Sequence, residues 1–506
     1  MTLLASVLDT LLREDFQGIR TRGSVVDGVL RVDYAGHSLE IPVRPDGFLC
    51  DIAVSAPELT WDGTRLTELE PILALLRDGV PECDRDGFDA FVTECRDALT
   101  TERLQRDSRT TTGPLRHDVL AAYLGHPVYP TGLARRGISP ADQSHYAPEY
   151  GPTFRLRWAA VRASAVTAAG TLPDWWPTAD ELGMPGDLVP FPVHPLTARH
   201  RLTVADAVDV TPTLSMRTVA VLADPGTHVK LPLPTSTLGL RNRRTVKPGT
   251  LVDGAVTGRL LAAVLAAEPR FADRIVLADE QTYAHADDEL LAFLVRRVPL
   301  GAIPLAALPA PTGMGLVVDE LGDRVAVVTE YLSLLLDFQV TLLLRYGMAL
   351  ESHQQNVSLL PGQPLRLLVK DNDGPRLHPR RLRRGLGDWP PGGDPALLDD
   401  RRIVVDSFAP LVDVFTTITL HLCAAAIVFA LGGIDRRLIR DLLCAAIDRH
   451  PDSPDRRRLI DRTLLADRLP VKAMVTAGTL LSKRRSGAAD INKFYSYTGP
   501  NYLRSV

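Results

Sequence analysis

Cysteine is scarce in this 506-residue sequence. Cys50, Cys83, Cys95, Cys423 and Cys444 are scattered, with no CxxC or CxxxC pair. An odd number in a long chain argues against a disulfide framework, and no zinc-ligand spacing occurs. This usage fits a reduced, cytoplasmic protein with mostly buried thiols. Neither sign of charge dominates: 57 Lys and Arg face 61 Asp and Glu, a formal net charge of −4. A dedicated nucleic-acid binder would carry a strongly basic face, so no nucleic-acid partner is expected. The sequence also lacks a Walker A loop, a GxGxxG, a GxSxG elbow and an HExxH. Any nucleotide would therefore be held by side chains on a sheet, not by a glycine loop at a helix start. No repeat of fixed period is present.

Long hydrophobic runs are few. Residues 414–433, VFTTITLHLCAAAIVFALGG, are about long enough to span a bilayer. They also hold His421, three threonines and many alanines, which suits a buried core helix, and no membrane partner is expected. At the N-terminus, MTLLASVLDTLLREDF is amphipathic. Asp9, Arg13, Glu14 and Asp15 interrupt it too early for a secretory segment.

With 45% hydrophobic residues, the chain can bury a large core in about two to four domains. The first 120 residues mix helical patterns, over 64–78 and 87–105, with GVLRVDYAGHSLEIPVR, which predicts a hairpin turning at Ala35-Gly36. From about 140 to 315, short β-rich stretches alternate with proline and glycine: LVPFPVHP, TPTLSMRTVAVL, THVKLPLP. The last third is helix-rich. VVTEYLSLLLDFQVTLLLRYGMAL reads as one long helix, 405–431 and 435–448 as two more, and DWPPGGDP as a loop. The fold class is α+β, with a β-rich middle and a helical C-terminal region.

Two groups of polar residues stand inside segments that otherwise look buried. The first is ESHQQNVSLLPGQPLRLLVKDNDG, residues 351–374. A hairpin folded at 361–363 brings Asn356 and Asp371 to one end. Glu351 and His353 cannot share a helical face, since i and i+2 lie about 200° apart, so the helix is expected to end near Glu351. Carboxylates with an amide oxygen, converging without a full cage, suit Mg²⁺ shared with phosphates. Protein kinases place a His, an Asn and a metal-binding Asp around a hairpin in a comparable geometry, although no VAIK or kinase glycine loop occurs here. Ser352 and His353 near Asp371 make only a weak case for a hydrolase triad.

The second group lies within residues 211–245. Ser215 and Arg217 are two apart, as are His228 and Lys230, so on strands each pair would share a face. Thr235, Ser236, Thr237, Arg241, Arg243 and Arg244 follow in a turn-rich stretch. Hydroxyls with guanidinium and ammonium groups suit a polyphosphate or a polycarboxylate.

These residues fall within a set of ordered motifs, from about 120 to 480, that resembles the aerobactin-type, NRPS-independent siderophore synthetases (the IucA/IucC family). The motifs are GHPVYPTGLARRG at 125–137, PEYGPTFRLRWAAVR at 148–162, FPVHP at 191–195, SMRT at 215–218, HVKLPLPTSTLGLR at 228–241, ESHQQN at 351–356 and VKDNDG at 369–374. The resemblance implies an ATP-dependent ligase that adenylates a carboxylic acid, often citrate. An amine or hydroxyl then attacks the adenylate, and AMP and pyrophosphate are released. It implies that Ser215, Arg217 and Lys230 contact nucleotide phosphates, and that Thr237 and Arg241 bind phosphate or substrate carboxylate. Glu351, Asn356 and Asp371 would hold Mg²⁺. His126 and Arg135 would lie near the nucleotide, and His353 would bind the substrate carboxylate, acting with Arg241 and Lys230 in catalysis. The implied fold is hand-like: a thumb (1–140), β-rich fingers (141–315) and a helix-rich palm (316–506), commonly a homodimer. Against the family pattern, the chain carries Tyr129 for a histidine, Leu133 for a basic residue, Leu196-Thr197 after PVHP, Lys370 before Asp371, and GPNYL near its end.

Overall fold

The structure is a computed structural model that describes residues 2–107, 115–199, 205–488, 490–495 and 497–504. Helix and sheet are mixed along the chain in an α+β arrangement.

The first helix, Leu3–Arg13, buries Val7, Leu8, Leu11 and Leu12 against a six-stranded antiparallel sheet and the helices Leu69–Asp78 and Arg85–Asp107. The hairpin turns where the sequence places it: Tyr34 pairs with His37, and Ala35 and Gly36 take φ of 57° and 85°. Such a turn matches the right-handed twist of its strands. Residues 64–66, expected to begin a helix, instead form an edge strand, and the helix starts at Leu69. Val128, Tyr129, Val471, Val475 and Leu480 complete the same apolar cluster, so the segment 471–480 packs onto the N-terminal region.

In the middle of the chain, eight strands form a sheet in the order Thr167–Ala169, Asp279–Ala286, Asp288–Arg297, Asp224–Lys230, Thr218–Val221, Ala205–Pro212, Phe154–Arg162, Leu188–Val193. Every neighbouring pair is antiparallel. Leu156, Trp158, Phe191, Val219, Val229 and Phe293 make the core of one face.

The largest core joins the helices Arg324–Thr341, Ala409–Val414 and Arg437–Asp448 with part of Pro248–Ala267. All but the last two residues of the apolar run at 414–433 lie in a continuous helical stretch, Ala409–Leu431, whose most apolar window is 89% buried inside the protein, and Gly432 and Gly433 follow its end. That stretch, Pro248–Ala267 and Arg324–Tyr346 are long and apolar enough to cross a membrane. The helix expected to run to about Glu351 ends earlier, because Gly347 takes the left-handed conformation (φ 64°) after a π-helical turn, Leu342–Tyr346. A glycine there ends a helix at little steric cost. All five cysteines are free thiols.

Candidate active site

The strands Val357–Leu360 and Arg366–Val369 form the expected hairpin, and the Lys370 amide donates to the Asn356 carbonyl at 3.1 Å. This closure sets Asn356 beside Asp371. Asn356 Nδ2 donates to the Glu351 carbonyl at 3.0 Å, and among the described residues no hydrogen bond engages its Oδ1, an acceptor. Asp371 sits at φ 57°, unusual for a residue with a side chain, and its amide donates to Glu280 Oε1 at 3.0 Å. Strain of this kind persists where surrounding contacts over-determine it. Here the contacts come from the sheet. Lys230 Nζ and Arg296 Nη2 each lie 2.6 Å from Asp371 Oδ1, and Arg296 Nε donates to Glu280 Oε1 at 2.5 Å. Burial pushes the Asp371 carboxyl up, but Arg296, Lys230 and Lys370 together hold it well below the usual carboxylate range.

Ser215 and Arg217 do not lie on a strand. They sit in the turn before Thr218–Val221, which is closed by the Thr218 amide donating to the Ser215 carbonyl and the Thr213 amide to the Thr218 carbonyl. Arg217 Nη1 donates to the Arg244 and Thr245 carbonyls. His228 and Lys230 do share a strand. In the loop that follows, Arg244 Nε donates to Thr237 Oγ1. Burial, then Arg217 nearby, pushes the Arg244 guanidinium down to about 9. Arg241 Nη1 donates to the carbonyls of Ala477 (3.3 Å) and Thr479 (3.1 Å).

Ser215, Arg217, Lys230, Thr237, Arg241, His126, Arg135, Glu351, His353, Asn356 and Asp371 all line one cavity of about 790 Å³. Its lining holds twelve Lys and Arg against five Asp and Glu. An excess of cations in a concave, partly desolvated space favours a polyanion. The Val128 amide donates to His126 Nδ1 and the Gln355 amide to His353 Nδ1, so in each neutral ring the proton sits on Nε2. Burial pushes the His353 imidazole down to about 4, against the opposing pull of Glu351. His353 is therefore a neutral donor at pH 7, not a cation.

Several expected ligands have protein partners. Arg135 makes a two-pronged pair with the fully buried Glu149, at 2.7 and 2.8 Å, so its guanidinium is engaged behind the wall. Glu351 Oε1 pairs with Lys493. Ser352 is buried and accepts a hydrogen bond from Gln339 Nε2, which leaves no basis for a nucleophile there. Among the described residues no group of three or more His, Cys, Asp or Glu could hold a metal. The donors available for Mg²⁺ are thus Asn356 Oδ1 and carboxylates that now face ammonium and guanidinium groups. That chemistry fits a cation held largely by phosphate oxygens, with few protein ligands, and not an all-protein cage.

Arg296, Glu280 and Lys472 are among the cavity residues that the sequence did not point to. Arg296 stands on the strand Asp288–Arg297 in the apolar run LLAFLVRR, and its signal is an arginine on the face of Ala292 and Leu294. Glu280 stands beside it on the neighbouring strand. Lys472 sits in LPVKAMV, a lone lysine in a segment that reads as core. Burial pushes its ammonium down to about 8, with Glu351 opposing the shift.

The family model described as "IucA / IucC family" matches residues 120–310. Residues 120–310 belong to the IucA / IucC family. The resemblance read from the motifs is borne out. This IucA / IucC segment carries the eight-stranded sheet and its basic turn and loop. A second model, "Ferric iron reductase FhuF-like transporter", matches residues 326–487, which hold Glu351 to Asp371 and Lys472. Staphyloferrin A synthase of Staphylococcus aureus is 22% identical over 491 residues, 79% of this chain and 82% of that protein. The y4xN protein of Sinorhizobium fredii is 26% identical over 402 residues; that match spans 66% of this chain and 62% of the relative. Aerobactin synthetase IucC of Klebsiella pneumoniae superposes with a TM-score of 0.74 at 19% identity, covering 99% of this chain and 98% of that one. ATP-bound aerobactin synthetase IucA of the same species gives 0.69 at 16%, covering 99% of both. At these identities the structures show a shared fold.

Proposed function

We propose that the chain is an ATP-dependent siderophore synthetase. In this reading it adenylates a carboxylate, citrate or a related polycarboxylic acid, and condenses it with an amine or a hydroxyl nucleophile. The observation that carries the reading is the meeting of two distant polar groups, from the sheet and from the hairpin, around one strongly basic cavity. The IucA / IucC match, the relative named as a staphyloferrin A synthase and the fold shared with an ATP-bound synthetase support it.

The carboxylate oxygen attacks the α-phosphorus of ATP, the bond to pyrophosphate breaks, and an acyl-adenylate forms. The incoming amine or hydroxyl then attacks the acyl carbon, loses its proton and displaces AMP. Both reactants of the first step are anions, so the barrier is dominated by bringing like charges together. Ser215, Arg217, Lys230 and Arg244 receive the phosphates, and Thr237 and Arg241 bridge phosphate and acid. His353 donates from Nε2 to the substrate carboxylate, and His126 stands near the nucleotide. Fixed donors of this kind stabilise developing charge without reorganising, and they hold the reactants in line. Asp371, Asn356 and Glu351 would hold Mg²⁺, which supplies charge neutralisation on the phosphates when bound. Binding it requires Lys230 to leave Asp371 for a phosphate and Lys493 to leave Glu351.

With this function go three lobes arranged like thumb, fingers and palm (1–140, 141–315 and 316–506), a homodimer and a cytoplasmic site of action. The test is incubation with ATP, Mg²⁺, citrate and hydroxylamine, which should yield a hydroxamate and AMP. A panel of di- and tricarboxylates giving neither product sinks the reading. ADP in place of AMP would identify a phosphotransferase, and tight nucleotide binding without turnover would identify a non-catalytic relative.

A further inference from the structure

Behind the cavity wall lies a buried carboxylate that the chemistry above does not use. Glu94 stands on the helix Arg85–Asp107 and is 5% exposed. Its Oε1 accepts from Thr479 Oγ1 at 2.6 Å, and its Oε2 accepts from Tyr129 OH at 3.0 Å and Thr131 Oγ1 at 3.1 Å. Hydroxyls therefore supply all of these bonds. Burial raises its carboxyl pKa, and the three hydroxyl bonds oppose that rise.

The network leads to one place. Thr479 Oγ1, while donating to Glu94, accepts from the Leu240 amide at 2.9 Å. The Arg241 amide donates to the Gly478 carbonyl at 3.1 Å, and the Arg241 guanidinium donates to the Ala477 and Thr479 carbonyls. The loop 238–241 is thus clasped to the segment 477–479 by backbone and side chain together. That segment is itself fixed from the N-terminal region. Glu14, 2% exposed, accepts from the amides of Val475 (3.0 Å) and Thr476 (2.7 Å). Tyr129, which replaces a family histidine, is absorbed into this network and not into the cavity lining.

Burying a carboxylate is costly when neutral groups could satisfy the same hydroxyls. A negative charge behind Arg241 has a use that a neutral group lacks: it favours holding a partly desolvated guanidinium in place, and Glu94 acts on Arg241 in that sense. We infer that Glu94 is a positioning residue, which acts through Thr479 to fix the loop 238–241 and so to aim Arg241 into the cavity. The inference rests on the proposed function only for what Arg241 then binds.

The test uses the full chain with Thr479→Val, Thr479→Ser and Glu94→Gln, each alone and combined with Arg241→Ala. Two readouts are taken: AMP formation against acid concentration, and hydrogen–deuterium exchange. Thr479→Val keeps the side-chain shape and removes the hydroxyl. It should raise the KM for the acid by about tenfold, the size of one lost buried hydrogen bond, and so should Glu94→Gln. Thr479→Ser should restore most of the loss. In the Arg241→Ala background, both substitutions should add less than about twofold, since coupled groups are not additive. Exchange should rise over 238–242 and 476–481 in Thr479→Val, but not in the strand Phe154–Arg162. Additive effects in the double variants, failure of serine to rescue, or unchanged exchange at 238–242 would each overturn the inference. If the unsubstituted chain forms no AMP with any acid, the functional reading falls, and the exchange measurement alone decides whether Glu94 and Thr479 fix this loop.

Discussion

Lys230 and Asp371, 141 residues apart in sequence, meet at 2.6 Å where the sheet faces the hairpin. Arg296 touches the same carboxylate oxygen from the neighbouring strand and also bonds Glu280. The two cations are not equivalent: the Arg296 side chain is 2% exposed and that of Lys230 is 12% exposed. Removing Arg296 leaves the buried Glu280 and the half-buried Asp371 without their main partner. Arg296→Met is therefore expected to destabilise the protein by about 3–5 kcal/mol, the usual cost of breaking a buried ion pair from one side. Lys230→Met leaves Asp371 paired with Arg296 and should cost less than about 1.5 kcal/mol while abolishing AMP formation. Denaturant titration of both variants checks this, and equal losses would contradict the ranking.

Arg241 and His353 face the cavity, and among the described residues no carboxylate bonds or pairs with their polar ends. Truncating His353 breaks no ion pair, and truncating Arg241 gives up only its two bonds to the Ala477 and Thr479 carbonyls, while its backbone amide still holds Gly478. Arg241→Ala and His353→Ala are each expected to slow adenylation by about 10²-fold, the scale of removing one preorganised donor. Thermal midpoints should stay within about 2 °C of the parent. A large drop in midpoint in both would mark them as structural.

What was legible in the sequence was local. The Ala35-Gly36 turn and the hairpin that joins Asn356 to Asp371 follow from turn chemistry and strand alternation over a few residues. The buried character of the 414–433 run followed from its own polar residues. The sequence missed what depends on distant chain segments. Arg296 next to Arg297 looks like a solvated strand end until Asp371 arrives beside it. Lys472 sits in a core-like stretch that only the tertiary fold opens onto the cavity. Glu94 is one charge among many on its helix, and nothing near it in sequence announces Tyr129 or Thr479. Ser215 and Arg217 fit strand spacing equally well, but the hydrogen bonds of the Thr213–Thr218 turn decide otherwise.

Gly239 has φ 112°, and a Cβ there would meet Gly478 Cα at 3.0 Å. That close approach lets the loop carrying Arg241 lie flat on the segment 477–479. Gly239→Ala should strain the backbone by about 1–3 kcal/mol and lift the loop, lowering AMP formation about tenfold. Gly36→Ala is the control: its φ is 85°, nothing lies within 4 Å of the new Cβ, and it is not part of the cavity lining. It should cost stability without touching turnover. Activity assays beside thermal melts separate the two, and full activity in Gly239→Ala would show that the loop tolerates displacement.

Lys472 gives the site a pH dependence of definite sign. Burial lowers its ammonium to about 8, so in the unliganded chain it is charged at pH 7 and loses its proton as pH rises through about 8. A carboxylic acid substrate stays ionised throughout that range. The kcat/KM for the acid should therefore fall above about pH 8. Lys472→Arg, which cannot lose its proton there, should move that fall to higher pH, and Lys472→Met should be weak at every pH. Stability runs the opposite way. The folded-state pKa lies below the ordinary lysine value, so the fold penalises the charged form, and the penalty is present at neutral pH and fades as pH climbs past about 8. Lys472→Met should accordingly melt higher than the parent at pH 7, and the difference should shrink by pH 9.5. A parent whose kcat/KM holds level to pH 10, with no such convergence of the melting curves, would remove Lys472 from the substrate-binding wall.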